Sequence, residues 1–148
     1  MLGLVESNWG GTIIEAWMNQ DGLDGCGIEP HDDGSANSNM VLYNGMIQPL
    51  VRMSIKGALW YQGESNGGWN RDKYQCTFPA MISEWRKIWS TNTPTATLFP
   101  FGFVQLSTWQ AGDQNPSFPI IRWHQTADVG YVPNDHLEVL NGFHDFLL

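Results

Sequence analysis

The sequence has few basic residues, only two cysteines and no long apolar run. Just 7 of the 148 residues are Lys or Arg against 15 Asp and Glu, which gives a formal net charge of −8. Because no basic stripe is available to neutralise phosphates, we expect no nucleic-acid partner. No apolar stretch approaches the roughly 18 residues of a membrane-spanning helix, so no such span is expected.

The sequence does not decide the cellular compartment of the protein. The segment Met1–Glu6 is too short for a secretion signal. Cys26 and Cys76 permit one disulfide, which would stabilise the fold by about 4 kcal/mol. Two cysteines can equally remain free and buried, so the sequence alone does not decide between these states.

Apolar runs of strand length alternate with amphipathic segments along the chain. We expect strands at residues 2–5, 55–61, 99–106 and 129–132, and helices at 12–22, 40–50, 72–89 and 119–127. Thr12 and Glu15 have the spacing of a helix capping box. This alternation predicts a three-layer α/β/α fold with a mostly parallel sheet.

Two loops follow predicted strands, where parallel sheets bind their ligands. In the first, residues 7–12, Gly10 and Gly11 form a turn that leads into a helix. Backbone N–H groups at such a position suit a developing oxyanion. A tight turn that merely requires glycine is an equally good interpretation.

The second loop, residues 62–70, contains Gly-x-Ser-x-Gly at 63–67. This is the pattern of the nucleophile elbow of α/β-hydrolases, and it would make Ser65 a nucleophile. Asp113 or Asp128, followed by His136, would complete a triad in the order of that fold. An elbow turns directly into a helix, however, whereas further loop residues intervene here.

Four separated motifs carry a resemblance to a known family. They are Ser-x-Trp-Gly-Gly-Thr-x-Ile-Glu-Ala-Trp at 7–17, Gly-x-Leu-Trp-Tyr-Gln-Gly-Glu-Ser-Asn at 57–66, Phe-Pro-Phe-Gly at 99–102 and Ile-Arg-Trp-His-Gln-Thr-Ala-Asp-x-Gly-Tyr-Val-Pro at 121–133. In this order, between residues 2 and 134, they resemble the sialate O-acetylesterases among the SGNH hydrolases. The resemblance implies a flavodoxin-like hydrolase that removes acetyl groups from sialic acids or sialoglycans. Such enzymes use a Ser–His–Asp triad and neither metal nor cofactor.

The resemblance also implies roles for residues of both loops. Oxyanion donors would come from Gly10 or Gly11 and from Gln62 or Asn66, and neither pair can be narrowed further from the sequence. The same loop places Gly63 and Glu64 at the site. Ser65 becomes a scaffold or substrate-contact residue under this interpretation.

The sequence departs from the family pattern at its catalytic ends. It contains no Gly-Gln-Ser-Asn-Met, the family's nucleophile segment, and no His-Pro, near which the family's His and Asp lie. We therefore interpret residues 1–134 as a partial catalytic domain and 135–148 as an unmatched tail, as in a truncated or alternative form. Such a chain is expected to be inactive alone. Family members are associated with lysosomal, secreted and cytosolic locations.

Remaining polar residues have simpler interpretations. Arg122 is expected to form a salt bridge with Glu64 or to reach a substrate carboxylate. His124 is expected to be structural, and His31 beside two aspartates lacks enough ligands for a metal site.

A third interpretation makes the chain a non-catalytic sugar-binding protein. The sequence has 8 tryptophans, whose flat rings suit sugars as well as protein cores. Trp9, Trp60 and Trp69 lie in or beside the two loops and would be its stacking surfaces.

Overall fold

The computed structural model describes residues 3–108 and 116–126. Within them, β1 (Ala58–Trp60) and β2 (Phe101–Phe103) form a parallel pair. The register sets Leu59 against Gly102, where a Cβ atom would lie 2.7 Å from Leu59 Cδ2. The parallel pairing confirms an α/β class, because parallel neighbours need a crossover connection.

Helices make up most of the remaining regular structure. The α-helices are α1 (Gln20–Gly25), α2 (Tyr74–Asn92) and α3 (Ser117–Thr126). Short 3₁₀ helices cover Ile14–Trp17, Gln48–Leu50, Ser65–Gly67 and Arg71–Lys73, and a π-helical turn covers Tyr43–Ile47. The helix expected at 40–50 is thus present as non-α turns, and the one expected at 72–89 is α2, with Pro79 inside it.

Aromatic side chains join α2 to one face of the sheet. Trp60 makes edge contacts with Trp17 and Trp85, at centroid distances of 5.8 and 5.6 Å. Phe101 lies 6.0 Å from Trp85. Trp60 is only 7% exposed, so its proposed use as a sugar-stacking surface is wrong: the ring is part of the core.

The opposite sheet face is open among the described residues. Leu59 and Tyr61 are 84% and 69% exposed, and Val104 is also exposed. Because side chains alternate across a strand, these three share the face that α2 does not cover.

Three local predictions near the amino terminus are wrong. Residues 3–5 form no strand, and Leu4 is 92% exposed, since no neighbouring strand in the described structure pairs with them. The capping box is absent because the Thr12 hydroxyl donates to Trp9 O at 2.8 Å and accepts from Trp17 Nε1. Gly22 does not end a helix but lies inside α1, where its N–H donates to the capping residue Asn19.

Cys26 and Cys76 form a disulfide. The bridge links the end of α1 to the first turns of α2. It closes a loop with a sequence separation of 50 residues, for which chain-entropy arguments give about 4 kcal/mol of stabilisation.

The predicted strand at 129–132 and the tail from residue 135 lie outside the described residues. Asp113, Asp128 and His136 also lie outside them. Of the triad built on Ser65, the structure therefore describes Ser65 alone.

Candidate active site

The first loop carries an exposed glycine turn. Gly10 and Gly11 are exposed, and Gly11 has φ +78°, a left-handed conformation that favours glycine. Neither amide donates a hydrogen bond within the described structure, and an added Cβ would meet nothing within 4 Å at either residue. The turn therefore has two N–H groups without an acceptor in the described structure, and open space where a side chain would stand on either glycine.

The second loop contacts the first directly. Gln62 Nε2 donates to Thr12 O at 3.0 Å, and Ile14 N donates to Asn66 Oδ1 at 2.9 Å. Residues that are about fifty positions apart in sequence thus meet immediately after the glycine turn. The structure brings the two predicted loops together at the carboxyl end of β1.

The side-chain amides of Gln62 and Asn66 are used inside this contact. Asn66 Nδ2 donates to Glu15 Oε2 at 2.9 Å and to Trp69 O at 3.2 Å. Gln62 Nε2 donates to Thr12 O and, at 2.7 Å, to Asn66 Oδ1. Since both amides are buried and both of their N–H groups are engaged, they hold the loops, and the open donors lie at the glycine turn.

Tyr74 and Gln125 complete the polar cluster from the helices. Tyr74 OH donates to Gln62 Oε1 at 3.2 Å, and burial raises the pKa of this phenol well above its usual value. Gln125 Nε2 donates to Gln62 O, while its Oε1 accepts from Leu106 N. Gln125 is fully buried, and the sequence analysis missed it because an amide on an amphipathic helix carries no distinctive signal.

Gly63 and Ser65 have different local geometries. Gly63 is buried with φ +139°, and a Cβ there would lie 2.9 Å from Ile121 Cγ2. Ser65 begins the 3₁₀ helix Ser65–Gly67, and the preceding Glu64 has φ −57° and ψ −47°. The positive-φ non-glycine residues of the described structure are Met40 and Asn70. Ser65 therefore lacks the strained backbone of a nucleophile elbow.

The predicted capping box gave Glu15 a local role at a helix start, but its side chain instead binds residues of the second loop. Its side chain is fully buried and accepts hydrogen bonds from Asn66 and Asn70. Burial raises the pKa of its carboxyl above the usual value, although hydrogen bonds from both asparagines act in the opposite direction. A glutamate between apolar neighbours in Ile-Glu-Ala-Trp was the available signal.

The predicted salt bridge between Arg122 and Glu64 is wrong. Arg122 Nη1 instead donates to Leu106 O at 2.9 Å, and the ion pairs among the described residues do not include Arg122. The guanidinium thus anchors α3 to the segment that follows β2.

His124 and His31 occupy separate surroundings. His124 is buried in α3. His31 lies 3.5 Å from Asp33, and its ring packs at a tilt of 47° against Trp69 with centroids 4.7 Å apart. No cluster of three or more His, Cys, Asp or Glu side chains suited to a metal ion occurs in residues 3–108 and 116–126. Across the same residues, no helix has the length and apolarity needed to span a membrane.

Comparison with known proteins identifies the family. A family model described as carbohydrate esterase, sialic acid-specific acetylesterase, matches residues 1–139. The chain is 49% identical over 142 residues to the sialate O-acetylesterase of Homo sapiens, covering 90% of this chain and 27% of that protein. It is 40% identical over 168 residues to the Mus musculus protein of the same name, covering 90% and 31%. The chain thus spans less than a third of the length of these curated relatives. The predicted resemblance is confirmed: this chain belongs to the carbohydrate esterase family of sialic acid-specific acetylesterases.

Proposed function

We propose that this chain forms the oxyanion-binding part of the active site of an ester hydrolase that removes O-acetyl groups from sialic acids. The observation that carries the proposal is the exposed turn at Gly10 and Gly11, whose two N–H donors are open and whose position is held by Gln62 and Asn66. Gly63 and Glu64, which lie between Gln62 and Asn66 in the second loop, are also assigned to this proposed site.

In the proposed reaction a serine oxygen attacks the acetyl carbonyl carbon, and the carbonyl oxygen becomes an oxyanion. The N–H groups of Gly10 and Gly11 donate to that oxygen while the sugar hydroxyl leaves, and water then releases acetate from the serine ester. The family's nucleophile segment and its His-Pro block do not occur in the sequence. The proposal therefore gives this chain charge stabilisation and substrate contact, and assigns no triad residue within it.

The substrate contact is proposed to involve Trp9. Its ring is 57% exposed and directly precedes the glycine turn. A flat ring of this kind packs against the apolar face of a sugar. Trp69, whose ring packs at a tilt against His31, offers a second half-exposed ring on the other loop.

The wider architecture is also part of the proposal. Residues 1–134 would belong to a three-layer, flavodoxin-like domain, with 135–148 as a tail outside it. The exposure of Leu59 and Tyr61 supports a further layer on the open sheet face. The Cys26–Cys76 disulfide supports an oxidising, lysosomal or secretory compartment.

Ligand binding tests the proposal without requiring turnover. We would titrate the isotope-labelled chain with O-acetylated sialic acid and follow amide NMR signals. Signals of Gly10 and Gly11 should shift, and Trp9→Ala should weaken binding. Trp123→Ala is the matched control, because Trp123 is a similarly exposed tryptophan on α3, at 61%. Equal weakening by both variants, or shifts confined to other regions, would contradict the proposed site.

Binding without discrimination would favour the sugar-binding alternative. The comparison is sialic acid that carries no O-acetyl group. If both ligands shift the same signals to the same extent, the turn does not recognise the acetyl group, and the chain behaves as a sugar-binding protein.

A further inference from the structure

Glu15 is a buried acid at the junction of three segments. It lies in the 3₁₀ helix Ile14–Trp17 and its side chain is fully buried. Its Oε2 accepts from Asn66 Nδ2 at 2.9 Å, and its Oε1 accepts from Asn70 Nδ2 at 3.1 Å. Its backbone carbonyl accepts from Met40 N at 3.1 Å. Glu15 therefore joins three segments: its own 3₁₀ helix, the loop after β1 and the segment around residue 40.

The hydrogen bonds around Glu15 fit a carboxylate. Each of its oxygens accepts from an amide N–H, and a protonated acid would direct an O–H toward one of these donors. No Lys or Arg is paired with Glu15 among the described ion pairs. Two titratable groups interact with it. The charge of His31 lowers the pKa of Glu15. The charges of Glu15 and Glu64 raise the pKa of Tyr74, at the start of α2.

Four contacts set the orientation of the Asn66 amide, and one of them is to this carboxylate. Asn66 Nδ2 faces two acceptors, Glu15 Oε2 and Trp69 O, whereas Oδ1 faces two donors, Ile14 N and Gln62 Nε2. A flipped amide would set donors against donors and acceptors against acceptors, leaving buried groups unpaired. Only one orientation satisfies all four contacts.

We propose that Glu15 is a positioning residue whose ionised carboxylate fixes Asn66 and Asn70, and through Asn66 holds the glycine turn against the second loop. Asn66 Oδ1 binds Ile14 N, and Gln62, which bonds Asn66, also holds Thr12 O beside the turn. The inference rests on the proposed function only in the claim that this turn receives an oxyanion.

The test follows the Asn66 side-chain amide by NMR as the pH of the full chain is varied. In the unchanged chain, this amide and the Gly11 N–H should titrate with the same midpoint as the Glu15 carboxyl carbon, above the usual glutamate value. The titration should vanish in Glu15→Gln. In His31→Gln it should persist with a higher midpoint, because the lowering effect of His31 charge is removed.

Glu84→Gln is the matched control. Like Glu15, Glu84 accepts from an asparagine amide, Asn19 Nδ2 at 3.0 Å, but Glu84 is only partly buried, pairs with Lys87 and lies away from the two loops. This variant should leave the Asn66 titration unchanged. An Asn66 signal that ignores pH, or that still titrates in Glu15→Gln, would overturn the proposal.

A paired exchange separates positioning from simple loss of packing. Glu15→Ala should speed hydrogen exchange at Ile14 N by about tenfold or more, as a buried charged hydrogen bond is lost. Glu15→Gln with Asn66→Asp exchanges the donor and acceptor roles of these two residues but leaves Trp69 O without its donor, so exchange at Ile14 should return only part of the way toward its original rate. If the paired variant is no slower than Glu15→Ala, the proposal fails. Should Glu15→Gln not fold, the common midpoint of Glu15 and Asn66 in the unchanged chain decides.

These readouts are independent of ligand. If Asn66 follows Glu15 but sialic acid ester does not shift the Gly10 and Gly11 signals, the proposed function is wrong and the positioning role stands. The opposite combination of results removes the role of Glu15 alone.

Discussion

Gln62 and Thr12, fifty positions apart in sequence, are joined by a hydrogen bond of 3.0 Å from Gln62 Nε2 to the Thr12 carbonyl. Thr12 directly follows the glycine turn, and Gln62 lies two residues after Trp60, the last residue of β1. The side chain that follows β1 thus holds the last residue of the exposed first loop in place.

Replacing Gln62 should destabilise the fold strongly. Gln62→Leu removes the side-chain donor of Thr12 O and the acceptor of Tyr74 OH, and leaves Asn66 Oδ1 with Ile14 N alone, so we expect a loss of about 3 kcal/mol in the free energy of unfolding. Gln48→Leu is the control, because Gln48 is exposed and makes one hydrogen bond, to Tyr43; it should change stability by less than about 0.5 kcal/mol. Urea denaturation measures both. Similar losses in the two variants would show that the loop contact contributes little.

The two glycines of the turn should respond differently to alanine. Both have open space for a Cβ, but only Gly11 has a positive φ, at +78°. Gly11→Ala should therefore cost about 1 kcal/mol, whereas Gly10→Ala should be close to neutral. Thermal denaturation of the pair decides this, and a Gly10→Ala penalty equal to that of Gly11→Ala would contradict the assigned turn geometry.

The isolated chain should not hydrolyse acetyl esters above background. Oxyanion donors without nucleophile and base leave only about 10³–10⁴-fold acceleration over water even in well-formed enzymes. Aryl acetate and O-acetylated sialic acid are suitable substrates, assayed beside Ser65→Ala. Turnover that disappears with Ser65→Ala would revive the elbow hypothesis, despite the helical backbone at that residue.

The open sheet face should promote self-association. Leu59 is 84% exposed on β1, and exposed apolar faces on sheets favour aggregation. Leu59→Thr should reduce association seen by light scattering while retaining strand propensity. Leu98→Thr is the control, as Leu98 is exposed in a loop before β2, at 54%. A chain that stays monomeric and melts cooperatively without substitution would refute this expectation.

The ionisation of Glu15 should lower global stability as pH rises. Burial raises its pKa in the folded chain above 4.5, the ordinary value for glutamate, so the folded state binds more protons than the unfolded state above that pH. The free energy of unfolding should then decrease between pH 4.5 and the raised folded pKa. Relative to Glu15→Gln, the unchanged chain should lose stability across this window in urea titrations at stepped pH. A gain across the same window would mean that the two asparagine hydrogen bonds outweigh desolvation.

Much of the framework was accessible from the sequence. Apolar runs around residues 58–60 and 101–103 and the three-to-four-residue period of 74–89 specify parallel strands and a crossover helix, because burial on one or both faces leaves a periodic trace. The motifs around Gly10 and Gln62 specified the family and the two loops. Residues 3–5 were mispredicted, since an apolar segment becomes a strand only where a neighbour can pair with it.

Tertiary structure alone decided how the polar residues are used. Thr12 and Glu15 have the spacing of a capping box, yet the Thr12 hydroxyl bonds its near neighbours Trp9 and Trp17. The Glu15 carboxylate bonds Asn66 and Asn70, which are more than fifty positions away. The sequence left Gln62 and Asn66 open as oxyanion donors, and the structure shows their N–H groups engaged within the loop contact. Apolar burial repeats along the chain and can be inferred locally, whereas a buried hydrogen bond depends on which distant group arrives beside it.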